Sequence, residues 1–146
     1  MDYSQEKDTL VEIKSNRILS NYIRELNEDM KLSISNLREK SLLCSSIWAK
    51  WISYLFLERD NLKRIAEAKQ KILKSKANSS KIHDSVLKLK SEDKIIENDE
   101  NMKKLNALQS NTQECVDYIE RSLNVLSSFG FSIKNAIETL KLETSH

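Results

Sequence analysis

Proline is absent from the 146 residues and glycine occurs once, at Gly130. These two residue types break elements and make tight turns, so their scarcity lets segments run long, points to a helical fold and speaks against a compact α/β enzyme. Aromatic residues make up only 6% of the chain. The longest apolar run, "IWAKWISYLFL" at 47–57, is interrupted by Lys50 and is too short to span a membrane. The N-terminal "MDYSQEKDTL" has neither the basic start nor the apolar stretch of a signal peptide. A location in the cytoplasm is expected.

Cysteine is also scarce. Cys44 and Cys115 form no CxxC pair and lie within helical apolar patterns. Buried thiols in a reducing compartment are expected, with neither a disulfide nor a metal site. No set of residues suggests catalysis. His83 adjoins Asp84, but no partnered nucleophile or glycine-rich loop accompanies the pair, and His146 is terminal. The chain reads as a non-enzyme without a cofactor.

What is present is charge and helical periodicity. Charged residues contribute 32% and apolar ones 39%, the balance of amphipathic helices with one wet face. Leu10, Ile13, Ile18 or Leu19, Tyr22 or Ile23, Leu26 and Met30 recur at helical spacing and predict a helix from about residue 5 to about residue 31. The serines and asparagine of "KLSISN", 31–36, predict a break. A second helix is expected over about 37–76, with Trp48, Trp51, Leu55, Leu62, Ile65 and Ile72 forming an inward seam interrupted by Glu58 and Lys69. Heptad spacing places both tryptophans in the core and not on nucleobases.

"ANSSK", 77–81, signals a loop, and the acidic "SEDKIIENDEN", 91–101, a polar connection; "IHDSVLKLK" between them could form a short helix. A third helix carries Met102, Leu105, Leu108, Thr112, Cys115 or Val116, Ile119, Leu123 and Leu126 on one face. Gly130 suits a left-handed C-cap, with Ser132 capping a last short helix that presents Ile133, Ile137 and Leu140. The expected architecture is all-α: long amphipathic helices in a hairpin-like bundle, then a short C-terminal oligomerisation helix. Its regions are 1–76, a connection at 77–101 and 102–146, within one domain.

Charge is unevenly distributed. Residues 1–60 carry nine basic and ten acidic groups, 61–90 nine against two, and 91–146 six against ten, giving −1, +7 and −4. Within "LKRIAEAKQKILKSKANSSK", 62–81, Lys63, Arg64, Lys69, Lys71, Lys74, Lys76 and Lys81 face a single acid, Glu67. A solvated helix face normally mixes signs, so the bias points to a polyanion, though an acidic protein surface would serve as well. The residues form a basic collar, without the Asn, Gln and Arg pattern that reads base edges, so a polyanion would be held by its phosphates without sequence preference.

"WAKW" at 48–51, "LKRIAEAKQKILKSK" at 62–76 and "GFSIKNAIETL" at 130–140, in that order, resemble the UvsY recombination mediator family of T-even-type bacteriophages. The resemblance covers about residues 22–142. It implies single-stranded DNA binding, with the family's Leu-Lys-x-Arg falling on Lys74 and Lys76; lysine at the second position keeps the charge but loses the planar fork. Lys71, Lys69, Arg64, Lys63 and Lys81 complete the expected binding set. Phe131, Ile133, Ile137 and Leu140 take the family's self-assembly role in a homo-oligomeric ring.

The implied function is to help load a phage recombinase onto DNA covered by single-strand-binding protein, in recombination, repair and replication. The recombinase and the single-strand-binding protein would be partners, in the cytoplasm of the infected bacterium. The alternative is a structural coiled-coil or scaffold protein whose basic segment docks on an acidic surface such as its own 91–101 stretch.

Overall fold

A computed structural model describes residues 17–79 and 100–145. They form three helices: α1, Leu19–Asp29; α2, Leu37–Ser79; and α3, Glu100–Thr144. Among the described residues there is no strand, in keeping with the all-α expectation. No helix among them is long and apolar enough to cross a membrane. The predicted "IHDSVLKLK" helix, His83 and His146 lie outside the described residues.

The break at 31–36 is built by the side chains that predicted it. Asn36 Oδ1 accepts from the Ser33 N–H at 2.8 Å, while Asn36 Nδ2 donates to the Lys31 carbonyl at 3.1 Å. Lys40 Nζ, from the first turn of α2, donates to the Glu28 and Asp29 carbonyls at 3.2 and 3.0 Å. It thereby adds a donor to carbonyls at the end of α1, where helical partners run out.

The helix expected over about 5–31 is interrupted at Ile18, and its part before residue 17 lies outside the described residues. Ile18 is extended, at φ −85° and ψ 154°, and the helix starts at Leu19. The residue before it is anchored by its side chain. The Arg17 guanidinium lies 4.2 Å from the centre of the Tyr22 ring and 5.1 Å from that of Tyr54, and pairs with Glu25 Oε1 at 3.5 Å. Burial pulls its pKa down, but bonds to Tyr54 and Glu25 outweigh this and hold it above its ordinary value. The cation is therefore fixed in its charged form.

The helices contribute to two compact units, 17–57 with 114–145, and 58–79 with 100–113. In the first, Tyr22, Leu26, Ile47, Trp51 and Leu55 are buried, as are Cys115, Val116, Ile119, Leu126, Phe129 and Ile133 of α3. The Tyr22, Trp51 and Tyr54 rings meet at centroid separations of 5.4–6.0 Å in tilted and edge-on geometry. Trp51 Nε1 donates to Asp29 Oδ2 at 2.8 Å, and Lys50 Nζ reaches the same oxygen at 2.7 Å. Adjacent residues of "WAKW" thus clamp the end of α1 onto α2. Trp48 of the same motif is 37% exposed and belongs to the core only at its edge.

In the second unit, Ile65 and Ala68 of α2 pack with Leu105 of α3, flanked by Ile72 and Leu108. Glu58, which interrupts the heptad pattern, is nonetheless buried, and so are Asn61 and Thr112. Thr112 Oγ1 turns back to the Leu108 carbonyl at 2.7 Å, satisfying its hydroxyl within its own helix.

The predicted separate C-terminal helix is instead the last part of α3, which runs through Gly130 without a positive φ. Ser132 does not cap a new start; its Oγ donates back to the Ser128 carbonyl at 3.2 Å. The flanking residues explain the continuity: Phe129 and Ile133 are buried four apart, so one helical stripe carries on across the glycine. The start of α3 also differs, because Glu100 and Asn101, expected in the connection, form its first turn. Glu100 is well placed there against the helix dipole.

Two substitutions test this description. Asp29→Ala should destabilise the protein by about 3 kcal/mol in urea unfolding, because it leaves the Trp51 N–H and Lys50 without their shared acceptor. A Cβ at position 130 would meet nothing within 4 Å. Gly130→Ala should therefore raise stability by about 0.5–1 kcal/mol, whereas a left-handed cap would be strained by it.

Candidate nucleic-acid interface

α2 divides its residues between an inward stripe and an outward face. With Ile65 and Ala68 turned into the core, Lys63, Glu67, Gln70 and Lys74 fall at i, i+4, i+7 and i+11 on the other side, with Lys71 beside them. Together with Ala66 they line a groove of about 400 Å³. Lys63, Lys71 and Lys74 are exposed, with Glu67 as the single acid among them.

The expected collar is therefore a one-sided row. Arg64 is half-buried, and its Nε donates to Asp60 Oδ2 at 2.9 Å. Lys69 is half-buried as well, and its Nζ donates to Gln109 Oε1 of α3 at 2.7 Å. Packing of α3 against one side of α2 engages Lys69 and leaves the opposite side to solvent. Lys76 lies in α2, with its side chain outside the described part of the structure, and Lys81 lies wholly outside it. Gln70 and Ala66 were not expected in the site. Gln70 stands one heptad after Lys63, a spacing that could have marked it.

The residues assigned to self-assembly also separate. Phe131 is 68% exposed, whereas Ile133 is buried within the protomer at 2%. Ile137 and Leu140 are half-buried. Ile133 and Ile137 line a groove of about 320 Å³ with Ser41, Cys44, Gly130 and Lys134. Ile133 is thus a core residue that forms the floor of a groove, and the accessible apolar surface of this stretch is Phe131, with Leu142 beyond it at 65%.

Neither cysteine is in a disulfide; Cys115 is buried and Cys44 half-buried. Among the described residues no cluster of three His, Cys, Asp or Glu side chains is placed to hold a metal ion. What the site offers chemically is a row of mobile ammonium groups above aliphatic stems, which suits a flexible phosphate backbone.

Such a row on an all-α scaffold of long helices is the arrangement expected of a protein that meets polyanions through charge and not by reading bases. The comparisons make this specific. A family model described as "Recombination, repair and ssDNA binding protein UvsY" matches residues 25–146. The chain belongs to the UvsY family.

Crystal structures of the bacteriophage T4 recombination mediator protein UvsY share the fold. One crystal form aligns with a TM-score of 0.71 at 18% identity, covering 87% of this chain and 99% of the other. A second gives 0.68 at 17% identity, covering 88% and 99%. Comparison with curated protein sequences gives no match.

Proposed function

We propose that this protein binds single-stranded DNA without sequence preference through the lysine row of α2, and acts as a recombination mediator. In this reading it helps load a phage recombinase onto DNA covered by single-strand-binding protein, in the cytoplasm of the infected bacterium. The observation that carries the proposal is the exposed Lys63, Lys71 and Lys74 on one face of α2, in a chain of a recombination, repair and single-stranded-DNA-binding family. Lys76, two residues further along the helix, adds a fourth charge to this end of α2.

A few lysine–phosphate contacts bind weakly at cellular salt. Assembly into a homo-oligomeric ring would present several rows to one strand and raise the effective concentration of each after the first engages. Phe131 and the groove beside Gly130 supply the apolar surface for that assembly. A strand following successive rows would reach the recombinase extended. The partner proteins then compete for a strand whose hold on this protein is electrostatic and easily exchanged.

Salt provides the first test. Four lysines at about −0.7 each predict that log K for oligo-dT falls by about 3 per decade of salt for each engaged subunit. An absence of oligo-dT affinity at moderate salt would favour the scaffold alternative, with the row docked on an acidic protein surface. Lys74→Ala with Lys76→Ala should lower the slope by about 1.4 and leave the sedimentation coefficient unchanged. Phe131→Asp should dissociate the assembly while keeping the helical circular dichroism signal. Ile133→Asp should instead lose several kcal/mol of stability, on the order of a buried large-to-small change or more.

A further inference from the structure

The lysine row has a candidate occupant within the chain itself. Residues 1–16 precede the residues 25–146 that match the family, so family membership assigns them no role. They carry four acids, Asp2, Glu6, Asp8 and Glu12, against Lys7 and Lys14, with Leu10, Val11 and Ile13 among them. The groove on α2 has the complementary composition: three exposed lysines against Glu67, over aliphatic stems and Ala66.

We propose that the acidic segment between Asp2 and Glu12 docks on the row formed by Lys63, Lys71 and Lys74 and competes there with single-stranded DNA. The inference rests on the DNA-binding reading above. Charge complementarity supplies the first argument, since each carboxylate exchanges one lysine–phosphate contact for a lysine–carboxylate contact of the same kind. Reach supplies the second. The segment joins the described chain at Arg17, whose guanidinium is fixed 5.1 Å from the Tyr54 ring. Along α2, Tyr54 and Lys74 are about 30 Å apart at the helical rise, and 16 residues of extended chain span up to about 50 Å.

Tethering supplies the third argument, because a linked segment of this length has an effective concentration of the order of millimolar. Surface ion pairs that are weak between separate molecules can then hold a substantial fraction of the rows. If nine-tenths are occupied, apparent DNA affinity falls about tenfold. The segment would retake the row when a competing partner draws the strand away, and it would reserve the row for polyanions dense enough to displace it.

Two measurements on the full chain decide the matter. Zero-length carbodiimide cross-linking, read by mass spectrometry without DNA, should join Asp2, Glu6, Asp8 or Glu12 to Lys63, Lys71 or Lys74, and saturating oligo-dT should abolish these links. The variant Asp2→Asn, Glu6→Gln, Asp8→Asn, Glu12→Gln should bind labelled oligo-dT about three- to tenfold more tightly at low salt, the gap closing as salt screens both contacts. Cross-links from the groove lysines only to the 92–99 acids, or to none, would overturn the proposal, as would equal or weaker binding by the variant. If neither protein binds the strand, the DNA-binding reading itself falls; equal binding by both overturns the competition alone.

Discussion

A helix of 43 residues cannot hide an apolar stripe by itself, and the arrangement of this protein follows from how α2 covers its own. Trp51 and Leu55 are buried in a unit that α1 and α3 help to build, Ile65 and Ala68 in one shared with Leu105 of α3. Each buried residue fixes the rotation of the helix about its axis. Once Ile65 and Ala68 face α3, Lys63, Lys71 and Lys74 fall on the exposed side of α2. The lysine row is the outward consequence of inward packing.

The same constraint sorts cations that look equivalent in one dimension. Lys50 is spent on Asp29, Lys40 on the carbonyls that end α1, Lys69 on Gln109 and Arg64 on Asp60. Each is half-buried beside a specific acceptor and so serves the fold. Burying the stem of a lysine while its ammonium reaches a partner costs side-chain entropy that an exposed lysine retains. The exposed ones keep the mobility that a disordered strand of phosphates favours.

Much of this was legible beforehand, for physical reasons. Without proline, and with apolar residues every three or four positions, little besides long helices could form, and the Ser and Asn of 31–36 could satisfy a break with their own side chains. Gly130 misled because glycine is both a C-cap and a tolerated helix residue; the burial of Phe129 and Ile133 on a shared stripe decided between them. The start of α1 was obscured by a periodicity that continues through residue 17, where the pull of two tyrosine rings on Arg17 is a tertiary effect. The lysines were visible as a charge bias, but their division into engaged and exposed depended on where Gln109 and Asp60 lie.

The central claim, that a helical assembly presents the α2 row to a single strand, is tested most directly by sedimentation velocity with a fluorescent oligo-dT, followed in the absorbance of the strand and of the protein. The account predicts that at low salt the strand moves with a species several times the protomer mass, and that high salt returns it to its free rate while the assembly persists. A strand that sediments alone at low salt beside an intact assembly would contradict it.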